Sequence, residues 1–148
     1  MALKEFVPTH KQNCGLLASL ALSGDAMTAS VQLEKGFDFN VIADITKTAQ
    51  FKSSTIIKVP GIDKGTLSRH LNKKARWVAS SATRIYNTAR IIESALDLFN
   101  NDRDKAEQWL NTSAVALNNI SPADYAKKPL GQEAVLDLIG RIKHGIVI

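Results

Sequence analysis

Apolar residues recur at helical spacing along most of the chain, and the alternation typical of strands is weak. A short amphipathic stretch at residues 26–35 stops at Gly36, and glycine readily adopts the left-handed conformation that ends many helices. Val41, Ile42 and Ile45 share one face of the next predicted helix. The pattern therefore predicts an all-α protein.

Residues with capping and turn-forming side chains divide the first half of the chain into short helices. Asp38 is expected to cap the helix that carries Ile45, and Ser53 or Ser54 to cap the next one. Pro60-Gly61 ends that helix, because proline restricts the residue before it and glycine permits a tight turn. Asp63 then caps a further short, polar helix.

A long helix is predicted from Ser80 or Ser81 to about Asn100. Its apolar positions form a broad stripe: Ala82, Ile85, Tyr86, Ala89, Ile92, Leu96 and Phe99. Such a stripe suits a connector between two sub-domains or a helix in a dimer interface. A plain core helix explains it equally well.

The last third of the chain reads as a second compact helical unit. Asp102 is expected to cap a helix that runs to Asn111, and Ser121-Pro122 is a strong helix start. A final helix ends at Gly145 and leaves Ile146–Ile148 as an apolar tail. This tail either docks onto another molecule or packs against the protein's own core.

The charge of the chain is unevenly distributed. From Lys64 through Ile92 there are seven Lys and Arg residues and no acidic residue, within a chain of net charge +5. Acidic residues then become frequent between Glu93 and Glu107. The basic segment suits an anionic partner, and the acidic segment suits a different one.

Residues 61–71 match the turn and second helix of a helix-turn-helix motif, which inserts polar and basic side chains into the DNA major groove. A solvated basic face is the alternative. Ile62 and Leu67 are expected to pin this helix to the core, His70 to be partly exposed, and Trp77 either to pack in the bundle or to stack on a base. The expected DNA-binding residues are Lys64, Thr66, Ser68, Arg69, Lys73, Lys74 and Arg76.

The sequence offers no catalytic constellation, so we expect no enzymatic activity, no cofactor and no metal site. It contains three histidines and one cysteine, Cys14, which is consistent with a reducing cytoplasm. The apolar run Leu16–Leu22 is too short to span a bilayer and has poor flanks for a signal peptide. We interpret it as a buried helix or part of an N-terminal arm.

Four motifs in the last third occur in a characteristic order. They are Ala106-Glu107-Gln108-Trp109-Leu110, Ser121-Pro122, Leu130-Gly131 and Arg141-Ile142-Lys143-His144-Gly145. Together they resemble the C-terminal toxin-binding domain of Xre/MbcA/ParS-type antitoxins, and residues 36–84 resemble the Xre-like helix-turn-helix region that precedes it. Two departures are Asn118-Asn119, where the family often has a glycine-containing turn, and Gly65 near the start of the DNA-reading helix.

This resemblance implies a helix-turn-helix bundle joined by a long helix to a small helical toxin-binding domain. The expected divisions are an N-terminal arm at 1–25, a DNA-binding domain with connector helix at 26–100, and a toxin-binding domain at 101–148. It implies a cytoplasmic, homodimeric antitoxin that neutralises a RES-domain toxin by covering its NAD-degrading active site. It also implies repression of the antitoxin's own promoter.

Toxin contact is expected at the C-terminal end, where charged and β-branched side chains come together. The expected residues are Arg141, Lys143, His144, Gly145, Ile146, Val147 and Ile148. A rival hypothesis is a stand-alone transcriptional regulator whose residues 102–148 dimerise or sense a ligand. A membrane-surface protein is disfavoured, because the basic residues surround a turn rather than follow one amphipathic face.

Overall fold

The computed structural model describes residues 16–19, 25–128 and 130–145. These residues form helices and two isolated β-bridges, with no strand among them, which confirms the all-α class. The helices are α1 (Leu16–Ser19), α2 (Ala26–Glu34), α3 (Val41–Ala49), α4 (Ser53–Lys58), α5 (Lys64–Lys73), α6 (Ala79–Leu98), α7 (Arg103–Leu110), α8 (Pro122–Tyr125) and α9 (Gly131–Lys143), with a 3-10 turn at Val115–Leu117.

Helix α6 is the central element of the fold. Helices α1, α2, α3, α7 and α9 all pack against it, and its contact with α9 is the most extensive between any two helices of the described chain. Its buried side chains follow the predicted stripe and include Ala82, Ile85, Ala89 and Ile92. The predicted connector is therefore itself a core helix.

One continuous apolar core contains side chains from both halves of the chain. Leu110 of α7 and Val135, Leu138 and Ile139 of α9 belong to the same buried cluster as residues of α1 to α4 and α6. Residues 26–100 and 101–145 thus share a core, and their division into separate domains at residue 100 stays a prediction.

Aspartate and serine caps were predicted correctly where the cap bond is local. The side chains of Asp63, Asp102 and Ser121 each accept a hydrogen bond from the backbone N–H three residues later. The left-handed Gly61, with φ of +67°, lies in the turn that follows α4, as the Pro60-Gly61 pair predicts. These helix boundaries were confirmed.

Two predicted caps were wrong. Asn40, rather than Asp38, precedes α3, and Asp38 instead accepts the N–H of Asn40 at 3.3 Å in the turn before it. Lys52 precedes α4, so Ser53 and Ser54 are its first helical residues. Helix α6 begins at Ala79 after Val78, one or two residues before the predicted start at Ser80 or Ser81. None of these three helices has a side-chain cap bond at its start.

Trp77 packs inside the protein. Its side chain is 1% exposed, its backbone forms a β-bridge with Phe37, and its ring stacks on His70 with centroids 3.8 Å apart. Gly36 permits this bridge, since a Cβ there would lie 2.0 Å from the Trp77 carbonyl oxygen. Of the two alternatives for Trp77, the structure selects packing in the bundle over base stacking.

The apolar run near the N-terminus contributes to the core. Leu16 and Leu17 of α1 are buried, and α1 packs on α3 and α6. The remainder of the predicted arm, apart from Asp25, lies outside the described residues. Within the described segments, no helix combines the length and apolarity needed to cross a membrane.

Candidate nucleic-acid and protein interfaces

Helix α5 presents a polar, basic surface. It begins at Asp63, whose carboxylate accepts the Thr66 N–H at 2.7 Å and the Thr66 hydroxyl at 2.8 Å. These hydrogen bonds from Thr66 lower the pKa of Asp63, with a small further lowering by the charge of Arg69. No side chain of α5 is buried. The helix is therefore available along most of its length to an external partner.

The structure brings most of the predicted DNA-binding residues to this surface. Six of the seven are exposed: Lys64, Ser68, Arg69, Lys73, Lys74 and Arg76. Thr66 is partly buried, and its hydroxyl also accepts a hydrogen bond from Arg69 Nη2 at 3.1 Å. Arg76 is exposed but donates to the carbonyls of Lys35 and Gly36 at 3.2 and 3.4 Å, beside the end of α2.

Few contacts hold α5 to the rest of the protein. Ile62 and Leu67 are partly buried and pack against the core, as expected of the inner face. His70 is also partly buried, and its Nδ1 lies 2.9 Å from the Thr66 carbonyl oxygen. The stack of His70 on Trp77 anchors the second half of the helix.

Arg84 belongs to the basic segment, but its guanidinium binds backbone carbonyls of the protein itself. Its Nε–H donates to the Pro60 carbonyl at 2.8 Å, and its Nη2 donates to the Lys127 carbonyl at 3.0 Å. The guanidinium thus joins the turn before α5 to the segment after α8. No local pattern in the sequence indicates this role, because both acceptors are backbone groups distant along the chain.

A polar stripe on α7 forms a second link that sequence reasoning missed. Arg103, Glu107 and Asn111 follow each other at four-residue spacing and all contact residues 50–55. The pairs are Arg103 Nη1 to Gln50 Oε1, Lys52 N–H to Glu107 Oε2 at 2.6 Å, and Asn111 Nδ2 to Thr55 Oγ1 at 3.1 Å. Glu107 consequently satisfies a backbone N–H at the start of α4, where the predicted serine cap is absent.

The C-terminal end of α9 carries the predicted toxin-contacting side chains. Arg141 is exposed and pairs with Asp137 at 3.0 Å, while His144 and Gly145 are exposed beyond the last helical residue. Lys143 pairs instead with Asp97 of α6. Ile146, Val147 and Ile148 lie outside the described residues.

The described ranges bring together no group of histidine, cysteine, aspartate and glutamate side chains that could hold a metal ion.

Comparison with known proteins decides the family. Residues 94–145 match a family model described as the antitoxin Xre/MbcA/ParS C-terminal toxin-binding domain. A protein of Photorhabdus laumondii subsp. laumondii named Antitoxin Xre is 31% identical over 147 residues, covering 98% of this chain and 99% of that protein. The chain belongs to the Xre antitoxin family.

A second member supports the same assignment. A protein of Yersinia enterocolitica, also named Antitoxin Xre, is 31% identical over 126 residues, covering 85% of this chain and 84% of that protein. The matched domain begins within the last turns of α6 and includes α7, α8 and α9. It thus contains both the polar stripe of α7 and the exposed end of α9.

Proposed function

We propose that this chain is an antitoxin that binds and neutralises a cognate toxin through its C-terminal region and binds its own promoter DNA through α5. The match of residues 94–145 to a toxin-binding domain carries the first part of the proposal. The exposed basic surface of α5 supports the second part. In this proposal the toxin is a RES-domain enzyme that degrades NAD, and the antitoxin covers its active site.

The end of α9 and the tail beyond it are the proposed toxin contact. Arg141 and His144 are exposed there, and the apolar residues 146–148 directly follow Gly145. Lys143 contributes by holding this end of α9 on α6 through its ion pair with Asp97. Charged side chains beside an apolar tail suit a protein surface with a buried apolar centre and a polar rim.

Deletion of Ile146–Ile148 tests this contact. We expect the purified toxin to bind the shortened chain at least about tenfold more weakly, since three apolar side chains are lost from the contact. Met27→Ser is a matched control, because Met27 is apolar and 82% exposed but lies in α2, outside the matched toxin-binding domain. Equal affinity of the full and shortened chains would remove the tail from the proposal.

Substitutions on and after α5 test the DNA contact. Lys73→Ala and Lys74→Ala should weaken binding to all sequences and reduce the salt dependence, because lysines there would contact phosphates. Arg69→Ala should cost about 1–3 kcal/mol mainly on the specific operator, if its guanidinium reads a base. Equal losses on operator and random duplexes would refute base reading by Arg69.

The proposed homodimer predicts the form of the operator. Two-fold related DNA-reading helices bind half-sites separated by about one helical turn or a multiple of it, so the operator should be a pseudo-palindrome. Footprinting of the chain on the DNA upstream of its own gene would show this spacing. A single unpaired half-site would contradict the dimeric part of the proposal.

A further inference from the structure

The end of α4 is held by side chains from distant parts of the chain. The last carbonyls of a helix have no partner inside the helix and need hydrogen-bond donors from elsewhere. Beyond α4, the Val59 carbonyl lies 3.4 Å from Gln132 Nε2, and the Pro60 carbonyl accepts the Arg84 Nε–H at 2.8 Å. A residue of α9 and a residue of α6 thus fix the direction in which the chain leaves α4.

Gln132 is a buried polar residue in the first turn of α9, with 6% of its surface exposed. Three oxygens converge on its Nε2, since the Arg84 carbonyl lies at 2.9 Å and Thr88 Oγ1 at 3.2 Å in addition to the Val59 carbonyl. A buried amide is costly unless its donors are satisfied. The position of this side chain is therefore tied to both α6 and the end of α4.

Arg84 fills the space on the other side of the same turn. Its Nη2 donates to the Lys127 carbonyl, and the turn residue Gly61 lies against both groups. A Cβ at Gly61 would lie 3.3 Å from Arg84 Nη2 and 3.3 Å from the Lys127 carbonyl oxygen. We call Gln132 and Arg84, with their contacts to Val59 and Pro60, the turn clamp.

Helix α5 depends on this turn for its orientation. It has no buried side chain, so its own packing fixes it weakly. The His70–Trp77 stack anchors its second half, whereas its first residues follow directly from the clamped turn. In helix-turn-helix proteins the N-terminal residues of the second helix contact the base edges. The clamp therefore acts on the end of α5 that would read the sequence.

We propose that Gln132 and Arg84 are positioning residues that set the DNA-reading geometry of α5 from within the C-terminal region. This inference rests on the proposed DNA binding and adds to it a physical link. The link runs from the first turn of α9, inside the matched toxin-binding domain, to the turn before α5. The domain that contacts the toxin also orients the helix that reads DNA.

Gln132→Met tests the proposal, because methionine keeps the length of the side chain and removes its donors. Val135→Ala is the matched control, since Val135 is fully buried in the same helix and its apolar side chain forms none of the hydrogen bonds of the turn clamp. The full-length chains would be titrated with a duplex from the region upstream of the gene and with a scrambled duplex. Amide hydrogen exchange of residues 59–66 and thermal unfolding would be measured in parallel.

We expect Gln132→Met to weaken binding to the upstream duplex about tenfold, the equivalent of one lost hydrogen bond, with little change on the scrambled duplex. Exchange at residues 59–66 should rise. Val135→Ala should lower the unfolding temperature and leave the ratio of the two affinities unchanged. If Gln132→Met fails to fold, Arg84→Lys takes its place, because a lysine ammonium cannot reach both carbonyls as the guanidinium does.

Two results would overturn the proposal. One is that Gln132→Met leaves the ratio of the affinities for the upstream and scrambled duplexes unchanged. The other is that Val135→Ala lowers this ratio as much as Gln132→Met does, which would indicate a general effect of stability. If the natural chain itself does not prefer the upstream duplex, the proposed DNA function fails. In that case hydrogen exchange still decides on the clamp, since unchanged exchange at residues 59–66 in Gln132→Met would refute it.

Discussion

A chain that ends at residue 101 should not fold, although it contains the whole predicted DNA-binding half. The reason is the shared core, in which α9 packs along α6 and α7 covers a further part of it. Removal of residues 102–148 leaves the buried face of α6 open to water. The remaining helices would then lose the part of the chain that covers α6.

The size of this effect follows from the buried side chains that are lost. Leu110, Val135, Leu138 and Ile139 are between 0% and 5% exposed in the full chain. Each contributes about 1.5–3 kcal/mol on burial, so their removal costs about 6–12 kcal/mol. Domains of this kind are stable by about 5–15 kcal/mol in total. The loss is of the same size as the whole free energy of unfolding.

Trp77 makes the test direct. The chain has two tryptophans, and truncation at residue 101 removes Trp109, so fluorescence of the shortened chain reports on Trp77 alone. We expect the red-shifted emission of a solvated indole and no cooperative transition in urea. A chain of residues 1–145 should unfold cooperatively and serves as the control. Blue-shifted emission with a cooperative transition in residues 1–101 would refute the shared-core account.

Alanine substitutions at two glycines of α9 should change the stability in opposite directions, and the stability should depend on pH through one glutamate. Gly131→Ala places a Cβ 1.9 Å from the Tyr125 carbonyl oxygen and should cost about 3 kcal/mol or more, whereas Gly140→Ala meets nothing within 4 Å and should add about 0.5–1 kcal/mol. Urea unfolding of both variants measures this, and equal effects would contradict the described approach of α8 to α9. Burial, and secondarily the charge of Asp97, raises the pKa of Glu93. The folded chain therefore holds this proton to a higher pH than the unfolded chain, so stability falls as pH rises through that interval. Glu93→Gln should be more stable than the natural chain at pH 7 and lose this advantage on acidification. Thermal unfolding of both chains measures this, and a difference in unfolding temperature that stays constant across pH would contradict the raised pKa of Glu93.

The local features of the fold could be predicted from the sequence. Asp63 and Asp102 cap their helices through bonds to residues three positions later, and such contacts depend only on neighbouring residues. The stripe of α6 was predicted because helical periodicity marks a buried face. The basic surface of α5 was predicted from the helix-turn-helix match and from the Lys and Arg residues that follow Asp63 with no acidic residue among them.

The contacts between distant segments could not be predicted. Lys52 precedes α4 without a side-chain cap because Glu107 of α7 accepts its N–H, and no spacing in the sequence connects the two. The charge of Arg84 is visible in the sequence, whereas its carbonyl partners are not. The buried contacts of Gln132 could not be predicted for the same reason, since its acceptors are also distant along the chain. Such links require the tertiary arrangement of α6 and α9.

The central claim is that this chain neutralises a toxin through its C-terminal end. The most direct test is to induce the neighbouring toxin gene alone, with the full chain, and with the chain lacking Ile146–Ile148, and to follow growth and intracellular NAD. The account predicts growth arrest and NAD loss with the toxin alone, full relief by the complete chain, and weaker relief by the shortened chain. A harmless neighbour, or a toxin that the complete chain does not relieve, would contradict it.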